Sequence, residues 1–303
     1  MRPFPVSLAA VPTGELAALA TAICWSATGL FFAEAARRIG ALRVNLLRLP
    51  PALGLLSLAL VVTGTAFAPI DARRAVYLAA SGIVGLVIGD LALFEAMRRI
   101  GARLSFLIMS LAPISASLAG LLLLGERPGP LALLGIAVTL GGVVWVVGEP
   151  REGEPLGSHQ AIGVAFAVVG AACQGVGLVL AKVGMAGEVP ALAATWVRMG
   201  TATGVIWVLT ALTGRVRGLG VADATRRAWL PIAGGAFFGP FLGVWLSLVA
   251  ARLTDVGIAA TIMATTPVLV IPILMLTERY RPTVRALVGT AVTVAGVALL
   301  FAT

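Results

Sequence analysis

One hydrophobic unit occurs twice in this chain, and the second copy follows the first at a constant offset of 154 residues. Each copy contains five apolar stretches, and the landmarks of one copy match those of the other: Gly85 with Gly239, Gly89 with Gly243, Met109 with Met263, Pro113 with Pro267, Gly135 with Gly289 and Gly142 with Gly296. Because five is an odd number, a second copy must enter a membrane from the side opposite to the first. The duplication therefore predicts two inverted repeats with a pocket between them, an arrangement typical of many secondary transporters.

The apolar stretches are long enough to cross a lipid bilayer, for which a helix needs roughly 20 mainly apolar residues. Only 12% of the 303 residues are charged and 59% are hydrophobic, whereas soluble domains carry about 25% charged residues. Ten stretches can be marked, at about 15–33, 45–66, 75–95, 103–124, 130–148, 160–181, 191–212, 229–250, 256–277 and 283–302. We therefore predict an all-α integral membrane protein with ten transmembrane helices, built from two inverted five-helix repeats over 14–148 and 160–302.

The basic residues lie mostly in the short loops between these stretches, and their distribution changes sides between the two copies. In the first copy they concentrate after the first and third stretches: Arg37, Arg38, Arg43, Arg98, Arg99 and Arg103. In the second copy they concentrate after the seventh and ninth stretches: Arg215, Arg217, Arg226, Arg227, Arg279, Arg281 and Arg285. Matching loops thus carry opposite charge bias, as opposite insertion requires. A membrane surface explains the net charge of +9, so we expect a lipid bilayer and no nucleic acid as a partner.

Glycines and prolines at matching places predict how the helices pack and bend. Small residues on one helix face let two backbones approach closely, and four glycines meet this condition in the third and eighth stretches: Gly85, Gly89, Gly239 and Gly243. Pro113 and Pro267 fall near the middle of the fourth and ninth stretches, where a proline removes one backbone hydrogen bond. We expect a kink at each proline, and the sequence leaves open whether it is a hinge or a static bend.

Two charged residues inside the predicted spans are candidates for a solute site, because charges in a membrane commonly mark functional positions. Asp90 lies about two-thirds along the third stretch, and its counterpart in the eighth is Val244, so the acid breaks the symmetry of the repeats. It is either a substrate or proton site or one partner of a buried ion pair. Arg198, about two turns into the seventh stretch, either receives a substrate carboxylate or phosphate or extends to the membrane interface.

Four more residues are candidates for the walls of a pocket. Trp25 and Gln174 hold nearly equivalent positions in the first and sixth stretches. With Ser26 beside the tryptophan, they predict a pocket with one flat apolar wall and one polar wall. Packing alone is the alternative for Trp25. Trp245, in the eighth stretch, is a further candidate for substrate binding.

An ordered set of motifs runs along the first copy: Cys24-Trp25-Ser26, Arg48, Ala96-Met97, Gly101-Ala102, Met109 to Pro113, Gly125-Glu126-Arg127, Gly135 and Gly142. The second copy keeps Arg198, Pro267, Glu278-Arg279, Gly289 and Gly296 in the same order. Taken together they resemble the EamA branch of the drug/metabolite transporter superfamily, including its YddG-like amino acid exporters. The resemblance implies a ten-helix bundle whose central cavity moves small organic metabolites by alternating access, often outward. The positive-inside rule places both termini outside the cytoplasm. The resemblance implies the opposite orientation.

Two local features concern single helices. Pro50 and Pro51 directly follow Arg48, which predicts that the second helix starts late and leaves the arginine at the membrane interface. Glu95 precedes Arg99 by four residues, the favourable order for an ion pair on one helix.

The most direct functional interpretation is a secondary transporter for amino acids or similar metabolites, acting by export in a bacterial or archaeal cytoplasmic (inner) membrane. A nucleotide-sugar or sugar-phosphate carrier is an alternative within transport, and a membrane-embedded lipid-modifying enzyme is an alternative outside it. Such an enzyme needs clustered metal ligands or a His/Ser arrangement, whereas this chain has one histidine and scattered acids. We expect no enzymatic activity, no cofactor and no metal site. We expect a small-molecule solute as partner and a monomer, with a homodimer as the alternative.

Overall fold

The structure, a computed structural model, describes residues 12–65, 70–147, 158–187, 189–214, 223–269 and 283–302, and all regular elements among them are helical. The α-helices, numbered along the chain, are α1 Thr13–Ile39, α2 Ala41–Thr63, α3 Ala72–Ser81, α4 Asp90–Met109, α5 Ala112–Leu124, α6 Pro130–Val147, α7 Ser158–Gly184, α8 Ala191–Leu212, α9 Asp223–Ala236, α10 Val244–Leu253, α11 Val256–Met263 and α12 Val284–Leu300. Two π-helical segments join α3 to α4 and α9 to α10, at Gly82–Gly89 and Phe237–Gly243. The all-α prediction is confirmed for this part of the chain.

The bundle has the outward-facing apolar surface of an integral membrane protein. Val62, Leu122 and Leu212 are 77%, 73% and 79% exposed, which suits contact with lipid tails. Five helical stretches are long and apolar enough to cross a membrane: Leu42–Thr63, Ala72–Ile100, Ala161–Gly184, Ala191–Leu212 and Trp229–Leu253. Four shorter apolar helices lie beside them: Ala112–Leu124, Pro130–Trp145, Val256–Leu269 and Val284–Leu300.

Local sequence signals explain several helix ends. Asp71 precedes α3 and its side chain accepts a hydrogen bond from the Arg74 backbone N–H, and Thr283 caps α12 in the same way. Gly64 and Gly125 follow α2 and α5 with φ values of +69°, a left-handed conformation that glycine adopts without steric penalty.

Equivalent helices of the two copies pack against each other in opposite directions. On α6 and α12, an added Cβ at Gly135 would lie 3.3 Å from the Gly296 carbonyl oxygen, and one at Gly142 would lie 2.9 Å from the Gly289 carbonyl oxygen. The first glycine of one helix therefore meets the second glycine of the other. Because these glycines are equivalent pairs in the sequence, α6 and α12 are antiparallel counterparts.

The two copies also exchange helices. Helix α1 of the first copy packs on the second copy, where Thr28 contacts Gly239 and Trp25 contacts Gly243. Helix α7 of the second copy packs on the first, and there the equivalent contacts join Gly177 to Gly85 and Gln174 to Gly89. Both of these contacts of α1 thus have a counterpart on α7, as a pseudo-two-fold relation between inverted repeats requires.

The connection between the third and fourth predicted stretches differs from the expected loop, because the backbone is helical through it to Met109. Contacts with α7 nevertheless show that the chain reverses direction. Gly184 lies against Leu78 and Gly163 against Ile100, so this part runs antiparallel to α7. Helix α5 runs parallel to α7, since the Ser115 hydroxyl donates to the Ala171 carbonyl at 3.3 Å and Glu126 pairs with Lys182 further along.

The prolines interrupt helices at two of the predicted places, and one prediction about them is wrong. Pro113 and Pro267 each follow a two-residue break in the helix, at 110–111 and 264–265, and lie in the first turn of the helical stretch after it, while their role as hinges stays a prediction. A missing N–H causes no loss there, because first-turn N–H groups have no partner within the helix. Pro50 and Pro51 do not delay α2, which begins at Ala41 and contains both. The loops with Arg215, Arg217, Glu278, Arg279 and Arg281 lie outside the described residues.

Candidate functional site

A cavity of about 180 Å³ lies where the two copies meet. One buried water needs roughly 10–15 Å³ on this scale, so the space accommodates on the order of ten waters or one small organic molecule. Its polar walls come from α2, α4, α7 and α8, through Arg48, Asp90, Gln174 and Arg198. Its apolar walls include these side chains: Trp25, Phe32, Phe94, Met97, Phe106 and Met263.

Asp90 lies at the centre of a hydrogen-bonded cluster beside the cavity. Its Oδ2 atom forms an ion pair with Arg48 Nη2, and its Oδ1 atom accepts a hydrogen bond from Gln174 Nε2 at 2.6 Å. Arg48 Nε in turn donates to Asn45 Oδ1 at 2.9 Å. Both carboxylate oxygens therefore have strong partners from other helices.

Two aromatic rings complete the surroundings of Arg48. Its guanidinium carbon lies 5.2 Å from the ring centre of Phe32 and 5.0 Å from that of Phe94, distances at which a cation is attracted to a ring face. Arg48 is 6% exposed. The prediction that Arg48 lies at the membrane interface is therefore wrong. Its correspondence with Arg198 early in the equivalent helix was the signal that could have identified it.

Arg198 has a different environment. It is 3% exposed and lines the cavity, and its side chain makes no hydrogen bond or ion pair with the part of the chain that the structure describes. The absence of side chains at Gly82 and Gly85 makes room for it, since an added Cβ at Gly85 would lie 3.2 Å from Arg198 Nη2. The alternative of extension to the membrane interface is wrong.

The π-helical segments lie at equivalent places in the two copies, and the first ends immediately before Asp90. Short π-helical turns are frequent at functional sites. Here two carbonyls of the segment accept hydrogen bonds from neighbouring helices: Gly85 O from Gln174 Nε2 at 3.3 Å and Leu86 O from Asn45 Nδ2 at 3.4 Å. The same side chains that surround Asp90 thus also hold the backbone that precedes it.

Four of the six predicted substrate-binding residues line the cavity, namely Trp25, Asp90, Gln174 and Arg198. Ser26 does not. Its hydroxyl donates to the Ala22 carbonyl at 2.7 Å and to the Thr266 carbonyl at 3.1 Å, so it links α1 to the backbone before Pro267.

Trp245 is the other predicted substrate-binding residue that the cavity lining does not include; its ring centre lies 6.2 Å from that of Phe241. Its neighbour Val244 does line the cavity. Pro267 also lines the cavity, whereas Pro113 is buried outside the lining.

A second group of polar residues joins helix ends on one side of the bundle, and we call it the Glu126 network. Lys182 Nζ lies 2.6 Å from Glu126 Oε1 and donates to the Thr254 carbonyl at 2.6 Å. Glu126 Oε2 accepts from the Val256 N–H at the start of α11 at 2.8 Å. The Thr254 hydroxyl donates to Glu15 Oε1 at 2.8 Å. The network thus connects α1, α7 and α11 to the end of α5.

The Glu126 network borders a polar hollow of about 390 Å³ that shares no lining residue with the central cavity. Asp255 lines this hollow. Burial, followed by the nearby Glu126 carboxylate, raises the pKa of Asp255, and the Lys182 ammonium lowers it by a smaller amount. At the opposite end of the bundle, Glu95 pairs with Arg99 as expected and also with Arg98. No group of three or more acidic, histidine or cysteine side chains in the described ranges is arranged to hold a metal ion.

Two segments of the chain, residues 12–148 and 161–302, match the model of the EamA-like transporter family. No curated protein matches the chain. Among solved proteins, one described only as a crystal structure of a protein is similar over 94% of this chain and 95% of its own, with a TM-score of 0.77 and 20% sequence identity. A likeness at this identity concerns the fold alone.

Proposed function

The chain belongs to the EamA-like transporter family and is a membrane transporter of the drug/metabolite type, and from this premise we propose that it carries small organic metabolites by alternating access through the central cavity. The observation that carries the proposal is the cavity itself. Its buried Arg48, Asp90 and Arg198 line a space between the two copies. Charged residues in such a position commonly mark a solute pathway.

The proposed architecture has ten spans in two inverted repeats, over 14–148 and 160–302. Three observations support it: the antiparallel packing of α6 on α12, the exchanged contacts of α1 and α7, and the reversal of direction before α5. In transporters of this plan, solutes bind near the bilayer midplane at the repeat interface. The cavity lies at that interface.

Alternating access requires an end that opens and closes, and the Glu126 network is a candidate for this gate. The cavity lining extends from mid-bundle towards Met97 and Phe106, near the end where Gly163 contacts Ile100. Lys182 and Glu126 lie at the other end of α7. We propose that the network closes that end in the present conformation and separates when the cavity opens there.

The amino acid class and the export direction are part of this proposal, as are a small-molecule solute, a monomeric state and a bacterial or archaeal cytoplasmic membrane. The transport assay is counterflow into proteoliposomes loaded with one unlabelled metabolite and exposed outside to the same labelled compound. The panel contains amino acids, organic acids, sugars and amines. We expect saturable, trans-stimulated uptake of at least one class. Uptake equal to that of protein-free liposomes for every class contradicts the proposal.

A further inference from the structure

Arg198 differs from Arg48 and Asp90, because its side chain has no hydrogen bond or direct ion pair among the residues that the structure describes. Within the described ranges, Arg48 and Asp90 pair with each other and Gln174 satisfies the second carboxylate oxygen. The Arg198 Nε atom is buried without a hydrogen-bond partner, and the side chain is 3% exposed at the cavity wall. Two arginines thus share one carboxylate, so the charged cluster carries an excess positive charge, and Arg198 lines the space where a solute would lie.

An unpaired charge at this depth is unfavourable unless a ligand completes it. The surroundings also hold the guanidinium in place, because Gly82 and Gly85 leave a recess for the backbone and side chain of Arg198. A planar guanidinium presents donors that match the two oxygens of a carboxylate or phosphate. An amine, in contrast, would have to displace Arg48 or Gln174 from Asp90.

We propose that Arg198 binds an oxyanion, a carboxylate or a phosphate, on the transported solute, and that the apolar body of that solute lies along Trp25, Phe94 and Phe106. This inference rests on the proposed function and adds the substrate class to it. The aromatic walls of the cavity favour a body with an apolar or aromatic part. The solute is thus an organic anion, or a zwitterion whose anionic group meets Arg198.

Four probes that share a phenyl body separate the possibilities: 3-phenylpropanoate, phenyl phosphate, 3-phenylpropylamine and 3-phenylpropan-1-ol. The measurement is the thermal unfolding midpoint of purified protein against probe concentration, since a ligand of the folded state raises it. We expect an increase with one or both anions, which also distinguishes carboxylate from phosphate, and none with the amine or the alcohol. Arg198→Met should weaken anion binding by roughly 10- to 100-fold, the range for a charge-assisted hydrogen bond.

Arg98→Met is the matched control, because Arg98 is exposed and lies outside the cavity lining. Without probe, Arg198→Met should unfold at a midpoint no lower than that of the wild type, since it removes an unpaired buried charge. Arg198→Lys, which keeps the charge and loses the planar group, should bind anions with intermediate affinity. This variant keeps the test valid if Arg198→Met does not fold.

The inference is overturned if no anion raises the unfolding midpoint of the wild type, if the amine or alcohol raises it equally, or if Arg198→Met binds anions as the wild type does. Counterflow distinguishes this failure from that of the proposed function. Saturable transport of amines or neutral solutes alone would retain the transporter and remove the anion site.

Discussion

Arg48 on α2 and Asp90 on α4 form an ion pair whose side chains are 7% and 9% exposed, at the wall of the central cavity. The two residues lie 42 positions apart in the sequence, so their pair joins two separate helices. Because Gln174 of the other copy binds the same carboxylate, Asp90 connects both halves of the bundle. The acid that breaks the repeat symmetry is thus a structural link and a wall of the cavity.

Asp90→Asn should destabilise the protein by roughly 3–5 kcal/mol, because it leaves the Arg48 guanidinium buried without a counter-charge. Adding Arg48→Met should restore part of this free energy, since it removes the unpaired charge, and transport should remain impaired in both variants. Unfolding of the purified single and double variants measures the effect. Losses that simply add in the double variant would show that the two groups are energetically independent.

Gly142→Ala and Gly141→Ala should have opposite effects although the residues are adjacent on α6. An added Cβ at Gly142 would lie 2.6 Å from the Thr293 backbone nitrogen, whereas nothing lies within 4 Å of one at Gly141. We expect the first variant to lose about 1–3 kcal/mol through overpacking and the second to gain up to about 1 kcal/mol in helix propensity. Thermal unfolding measures both, and equal stability would contradict the close contact of α6 with α12.

Lys182→Met should open the end of the bundle that the Glu126 network closes, because the ammonium bridges Glu126 and the Thr254 carbonyl. The reporter is Ala132→Cys, a 2% exposed position at the polar hollow, in a protein whose Cys24 and Cys173 are replaced by alanine. Labelling by an aqueous maleimide should accelerate roughly tenfold, which corresponds to about 1.4 kcal/mol. Arg98→Met, at the opposite end, should leave the rate unchanged, and an equal rate in Lys182→Met would remove the network from gating.

Asp255→Asn should alter the pH dependence of stability. The pKa of Asp255 is raised above its ordinary value of 3.8, first by burial and then by Glu126. The favourable contribution of the protonated acid is complete below 3.8 and is lost as the pH rises through the raised pKa of the folded state. The variant should therefore gain stability over the wild type between acid and neutral pH. A difference in unfolding midpoint that stays constant over this range would contradict the prediction.

The helical architecture was predictable from the repeat, because glycines at equivalent positions of the two copies make equivalent close contacts between helices. The pairs Gly85 with Gly177 and Gly239 with Thr28 follow this rule. The prolines were informative only in part, since Pro113 and Pro267 marked breaks in their helices whereas Pro50 and Pro51 marked none. Packing of α2 on the other helices also overrides the helix-breaking tendency of Pro50 and Pro51.

The candidate site was predictable in part. Asp90, Arg198 and Gln174 were identified because polar groups within a membrane need partners or a function. Ser26 was assigned to the pocket through its neighbour Trp25, but successive residues of a helix point about 100° apart, with 3.6 residues per turn. Arg48 was missed for a different reason, because its burial depends on contacts with helices that are distant in the sequence.

The most direct test of the central claim is the rate of solute counterflow in Gly29→Leu compared with Gly54→Leu. Gly29 lines the cavity and an added Cβ would make only ordinary contact with Phe106, so a leucine would fit locally and occupy the solute space. Gly54 lies on α2 outside the cavity lining, with nothing within 4 Å of an added Cβ. We predict that Gly29→Leu abolishes saturable counterflow while Gly54→Leu retains it. Equal counterflow in two folded variants would contradict a solute path through this cavity.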